Sequence, residues 1–172
     1  MMAARRLRQE LVSLSDDSPI GVSAAPIGDD LFAWHGLLCG PDNSPFEGGV
    51  FELELDFSSE YPFKAPLVKF TTKVFHPNVF ETGGICLDIL REKWSPSLDI
   101  RSLLISIQSL LVSPDLHTSH EGAANSEAEY IYRTDRARYN SIVRRLVRDQ
   151  PLEGMATTVE NTPDSSFVDD GN

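Results

Sequence analysis

The stretch VFELELDF, Val50–Phe57, alternates without a break. Phe51, Leu53, Leu55 and Phe57 fall on one side, Glu52, Glu54 and Asp56 on the other. Successive side chains of a strand point to opposite faces, so strict period two predicts a strand with one face in the core and one in water. One-sided burial is the habit of antiparallel sheets; strands buried on both faces read as continuous apolar runs. The rest of the chain must therefore complete such a sheet and cover its apolar side.

Upstream, Leu31–Cys39 alternates in the same way, and GPDNSPFEGG (40–49) makes the turn between the two runs. An early strand is expected around Ser23. Residues 3–15, AARRLRQELVSLS, place Leu7, Leu11 and Leu14 at helical spacing and stop at Asp-Asp-Ser-Pro (16–19). Downstream, YPFKAP (61–66) holds prolines at 62 and 66 that forbid regular pairing, and Leu67–Lys73 reads as a further strand. Residues 74–97 lose all periodicity. A stretch that long without regular structure inside a compact domain is usually functional. Asp99 is the expected N-cap of a helix carrying Leu103, Leu104, Ile107, Leu110 and Leu111 on one face, with Pro114 ending it. After DLHTSHEGAA (115–124), Asn125 and Ser126 can cap one or two more helices anchored by Tyr130, Tyr132 and Tyr139, and Pro151 ends the series. Helix, then three or four antiparallel strands, then a long irregular segment and helices is the order of an α+β domain. It should occupy residues 1–150, followed by an acidic tail, 151–172, expected to be disordered.

Composition narrows the classes. The 172 residues carry 15 Lys and Arg against 26 Asp and Glu, a formal charge of −11, which argues against a nucleic-acid binder with its basic stripe. The tail contributes Glu153, Glu160, Asp164, Asp169 and Asp170 and no base, while Arg5, Arg6 and Arg8 make a local basic patch near the N-terminus. No apolar run approaches the roughly 20 residues of a membrane span, and the N-terminus does not read as a signal peptide. The two cysteines, Cys39 and Cys86, make no secreted disulfide framework, so a reducing cytoplasm or nucleus is expected.

Cys86 sits in HPNVFETGGICLDILREKWSP, His76–Pro96, just after Gly83-Gly84. Four readings of it compete. A zinc site wants about four ligands; Cys86 and His76 supply two, His117 and His120 are a remote pair, and there is no CxxC. A cysteine protease needs a base beside the thiol and a group orienting that base; His76 is available but stands next to Pro77 in a turn. A thioester carrier needs less: an exposed thiol, which ionises near pH 8.5, and a donor such as the Asn78 amide for an oxyanion. The fourth reading is an ordinary small buried cysteine. Residue types alone leave these open.

Together, YPFKAP, FHPNVFETGGICLDIL and KWSPSLDIRSLLISIQSLL resemble the ubiquitin-conjugating enzyme family, in particular its small, broadly acting branch. GPDNSPFEGGVFELELDFSSEYPFKAP and YRTDRARYN extend the likeness over roughly residues 4–150. The resemblance implies an N-terminal helix, a four-stranded antiparallel meander, a long active-site segment and C-terminal helices. It implies that Cys86 accepts ubiquitin's C-terminal carboxyl as a thioester from an activating enzyme and passes it to a lysine, with a RING-type ligase, or to the cysteine of a HECT-type ligase. Asn78 would support the oxyanion or order the loop, and Asp88 would help bring in and deprotonate the lysine. His76 and Pro77 would fix the turn around Asn78. Arg6, Pro62, Phe63, Lys64, Ser95 and Pro96 match the ligase-facing surface, and Arg5, Arg6 and Arg8 the place where the activating enzyme docks. Ile105 falls where an aliphatic residue links ligase binding to the active site, with plain core packing as its other reading. Ser23 falls where relatives bind a second ubiquitin. No metal or small cofactor is implied on this chain, ATP being used upstream, and a monomer is expected. The loop 115–124 departs from the pattern: it is longer than in close relatives, and Glu121 falls nearest to the acid that they use to orient lysine. Gln9 replaces a usual lysine. Two rivals remain, a conjugating enzyme for another ubiquitin-like modifier and a non-catalytic scaffold of the same fold; the presence of Cys86 argues against the scaffold.

Overall fold

The structure, a computed structural model, describes residues 2–116 and 123–151. In chain order it holds α1 (Met2–Asp16), β1 (Val22–Ile27), β2 (Asp30–Cys39), β3 (Val50–Asp56), β4 (Leu67–Phe70), a 3-10 turn at Asp88–Leu90, α2 (Ile100–Val112), α3 (Ser126–Thr134) and α4 (Arg136–Arg148). The strands pair antiparallel in the order β1-β2-β3-β4, a plain meander. This is the expected α+β arrangement.

Register explains how the alternation of β3 spreads across the sheet. Leu53 pairs with Gly36 and Phe70, and Leu55 with Trp34 and Val68, so one face is apolar across β2, β3 and β4. Leu53, Leu55 and Trp34 are fully buried. On the other face Glu54 pairs with His35 and Lys69, and the Lys69–Glu54 ion pair closes at 2.8 Å. Helices α1 and α2 contact the sheet, and the five apolar residues expected on the α2 stripe are all buried. The α2 start is a reciprocal cap: the Asp99 carboxylate accepts from the Ser102 N–H at 2.8 Å, and the Ser102 hydroxyl accepts from the Asp99 N–H at 3.0 Å. Asn125 caps α3 through the Ala128 N–H at 2.9 Å, as expected, and Asp135 ends α3 and caps α4 in one residue.

Three expectations need correction. The β4 strand stops at Phe70 rather than Lys73: past it the Glu52 N–H donates to the Thr72 hydroxyl, at 2.8 Å, in place of a backbone carbonyl. Tyr130 is not an anchor; it lies on the outer side of α3, 68% exposed, while Tyr139 is buried and Tyr132 stacks edge-on against it. Ile105 is not core packing either, since it projects from the open side of α2 at 41% exposure. The tail beyond Pro151 lies outside the described residues.

Candidate active site

Between β4 and α2 the chain is held by backbone hydrogen bonds rather than by a ladder. It turns at Glu81-Thr82 and returns on itself. Phe80 N–H donates to Gly84 O at 2.9 Å, Gly83 N–H to Phe80 O at 2.9 Å, and Cys86 N–H to Asn78 O at 2.8 Å. Val79 and Ile85 form an isolated bridge, both buried. Asn78 and Cys86 therefore face each other across the mouth of a tight hairpin. The glycine is required at one point: Gly83 has φ +88°, and a Cβ there would collide with the Phe70 carbonyl oxygen at the end of β4. Phe70 N–H in turn donates to Gly83 O at 2.9 Å, so the glycine docks the hairpin onto the sheet edge. The Cys86 side is left partly exposed, and the thiol is free.

His76 is fully buried beneath this turn. Its Nδ1 accepts from the Asn78 N–H at 3.0 Å, and its Nε2 lies 2.8 Å from Leu110 O on α2. A carbonyl can only accept, so Nε2 carries the proton and the ring is neutral. Burial lowers its pKa to about 4, against the opposing pull of the Leu110 carbonyl. With both nitrogens spoken for, His76 has none left to act as a base for the thiol, so the protease reading loses the base it relied on. Pro77 is buried, and its carbonyl accepts from Asn125 N–H at 3.1 Å.

The Asn78 side chain is 4% exposed and uses both ends. Nδ2 donates to Asp115 O at 2.7 Å, and Oδ1 accepts from Asp115 N–H at 2.9 Å. This two-point clasp pins the chain just after α2 beside the thiol hairpin. Asp88, two residues past Cys86, opens the 3-10 turn; its carboxylate meets Lys93 Nζ at 2.5 Å. Glu121 lies outside the described residues.

The other expected residues gather at the base of α1. Arg6 donates to Glu10 at 2.5 Å and to Leu98 O at 2.9 Å. Glu10, only 6% exposed, accepts from the Tyr61 hydroxyl at 2.6 Å and from Ile100 N–H, the first residue of α2, at 2.7 Å. Burial and the Glu10 contact hold the Tyr61 hydroxyl far above the usual phenol range. Trp94 Nε1 donates to Pro62 O at 2.7 Å. These bonds draw α1, the 61–64 turn and the 94–98 loop to one surface. There Phe63 is 65% exposed, with Pro96 also exposed, Ser95 half-buried and Lys64 paired to Glu60 at 2.6 Å. Pro62 itself is buried beneath it. Arg5 and Arg8 stand exposed on α1, beside Val12 at 59% exposure. Ser23 is exposed on the outer face of β1, remote in register from the hairpin, and pairs with Leu37.

Sequence reading passed over Glu10, Asp115 and Lys93. A signal existed for Glu10, which falls on the same helical stripe as Ala3, Leu7 and Leu14, where an acid must be buried with partners. Asp115 acts through its backbone, to which residue type is blind. Lys93 was in plain view, and its pairing with Asp88 depends on the 3-10 turn between them.

A free, partly exposed cysteine on a glycine-docked hairpin, a buried neutral histidine under it and an asparagine clasp across it thus stand on the same segment that leads to the exposed aromatic surface beside α1. The family model described as ubiquitin-conjugating enzyme matches residues 6–147, from the first helix to the end of α4, and the chain belongs to that family.

Proposed function

We propose that Cys86 accepts the C-terminal carboxyl of ubiquitin as a thioester from the activating enzyme and passes it on with a ligase. The observation that carries this reading is the hairpin itself, which presents a free, partly exposed cysteine at a fixed place, while His76, the one histidine of the motif, is turned to structural bonds. Exchange between two thioesters is nearly balanced and asks for a thiolate and little else. An ordinary thiol is a few per cent thiolate at pH 7 and that form is strongly nucleophilic, so the step from the activating enzyme needs no histidine.

Amide formation is more demanding, because an acceptor lysine titrates near 10.4 and must lose a proton before attack. Asp88 is the acid on hand to hold and relieve that ammonium. Asn78 acts by position: its amide fastens Asp115 beside the thiol, an arrangement that favours loop ordering over a free oxyanion donor. Phe63 and Pro96, with Arg6 behind them, would bind RING-type ligases, since an exposed aromatic on a rigid base makes an interface anchor. A HECT-type ligase would receive ubiquitin on its own cysteine through the same surface. Arg5 and Arg8 would meet the activating enzyme, Ser23 a second ubiquitin, and Ile105 would couple the ligase surface to the thiol. The setting would be cytoplasm or nucleus.

The test is to supply purified chain with activating enzyme, ATP and ubiquitin, and in parallel with other ubiquitin-like modifiers and their activating enzymes. A reductant-sensitive adduct with ubiquitin supports the reading; charging only by a different modifier would replace ubiquitin in it.

A further inference from the structure

We propose that the solvent face of α4 is a docking surface for the acidic tail of this same chain, residues 152–172, which folds back along the helix from its end. The proposal does not depend on the thioester reading above.

Five of the eleven arginines fall in α4, RARYNSIVRRLVR, which holds no acidic residue. Arg136 lies over the Tyr132 ring, its guanidinium carbon 3.4 Å from the centroid. Arg138, Arg144, Arg145 and Arg148 are exposed, and none of them makes an ion pair among the described residues. At roughly 3.6 residues per turn these four fall within an arc of about 120°, opposite the buried Tyr139 and Val143. The flanking acids do not answer them: Asp135 caps the helix by accepting from the Arg138 N–H at 2.9 Å, and Asp149 is the exposed residue that ends it. The helix dipole favours cations in the last turn, which suits Arg145 and Arg148, but disfavours them in the first, where Arg138 sits. Arg144 and Arg148 are also like charges four residues apart, an arrangement that weakens a helix. In a chain of net charge −11, four such cations on one face call for an anionic occupant.

The tail fits that description and starts beside the face. It carries Glu153, Glu160, Asp164, Asp169 and Asp170 and no base. Its point of departure is fixed, because the Gln150 side chain, two residues past the end of α4, accepts from the Val50 N–H at 3.0 Å. From Arg138 to Arg148 the face is about 15 Å long, whereas 21 residues from 152 to 172 can extend to roughly 70 Å, so length does not limit the contact. The other basic patch, on α1, offers only Arg5 and Arg8, since Arg6 is bound to Glu10. Tethering holds the tail carboxylates near α4 at an effective concentration on the order of mM. Each pair of exposed charges is weak and screened by salt, so the contact is a sum of several and loosens as ionic strength rises. A tail docked there shields the arginines from polyanions in solution.

The experiment records backbone amide NMR shifts of the isotope-labelled full chain, with a synthetic peptide of residues 151–172 as the reference for an undocked tail. At about 20 mM salt the tail amides should depart from the peptide values, and at about 0.5 M salt they should return to them. Arg138→Gln, Arg144→Gln, Arg145→Gln and Arg148→Gln, combined in one chain, should erase most of the low-salt difference; glutamine is nearly as good a helix former as arginine, and these side chains are exposed. A second variant leaves the folded domain untouched: Glu153→Gln, Glu160→Gln, Asp164→Asn, Asp169→Asn and Asp170→Asn together should move the amides of α4 and leave those of Arg5 and Arg8 in place. Inorganic polyphosphate, added as an outside polyanion, should then bind α4 severalfold more tightly than it binds the wild type. Tail shifts equal to those of the peptide at low salt, shifts that survive the arginine substitutions, a response centred on Arg5 and Arg8, or equal polyphosphate affinity in the two chains would each overturn the proposal.

Discussion

The sheet and the thiol hairpin are neighbours held together by different means. The sheet is specified by repetition: Phe51, Leu53, Leu55 and Phe57 are all buried, and each repeats the same instruction. The hairpin at 76–86 has no repetition. It stands on single contacts, with His76 bridging Asn78 to α2, the Asn78 clasp on Asp115 and Gly83 against Phe70. Damage to the sheet should be graded and global, while damage to the hairpin should be local and felt first in chemistry.

The largest effect on stability should come from the sheet. Leu53→Ala removes a fully buried side chain and should cost about 2–5 kcal/mol of unfolding free energy. Denaturant titration measures it, and charging should survive wherever the variant is folded. A loss of charging in folded Leu53→Ala would break the separation between the two regions.

Next comes pH. His76 is neutral in the fold with its pKa lowered to about 4, while an unfolded histidine titrates near 6.5. The unfolded chain therefore binds the extra proton first as pH falls. The stabilisation is whole above pH 6.5, drops by roughly 2 kcal/mol by pH 5 and is gone below about 4. Denaturant midpoints at pH 7 and pH 5 for the wild type and for His76→Gln isolate this share, because the carboxylates titrate in both. Equal slopes in the two proteins would mean that His76 does not titrate across folding.

Asn78→Ala removes both hydrogen bonds to Asp115 and should cost about 1–3 kcal/mol. Thioester formation should stay near normal and discharge to free lysine should fall sharply, with discharge to free cysteine less affected. An equal loss in all three would show that the clasp serves folding alone. Phe63→Ala should be the mildest, within about 0.5 kcal/mol, since the ring is exposed. Ligase-stimulated discharge should nonetheless be lost; a large fall in melting temperature would mean that the ring is packed in solution.

The same contrast decides what could be read from the sequence. Repeated signals were legible: the β3 alternation, the α2 stripe from Leu103 to Leu111, and the caps at Asp99 and Asn125 lie where local chemistry places them. Single events were not. Past the end of β4 a single threonine hydroxyl takes the Glu52 N–H, and Tyr130 has the composition of an anchor without the position of one. At the site, Cys86, Asn78 and Asp88 were visible as residue types within one motif. What they touch was not, because Asp115 contributes a peptide group and Lys93 reaches Asp88 only through a 3-10 turn.

The most direct test of the central claim is a side-by-side charging assay of wild type, Cys86→Ser and Cys86→Ala with activating enzyme, ATP and ubiquitin. Wild type should form an adduct that collapses with thiol reductant. The serine variant should form a reductant-resistant ester, since a hydroxyl acylates but leaves poorly, and the alanine variant should form none although Cys39 remains exposed. Charging of Cys86→Ala to the wild-type extent would contradict the account.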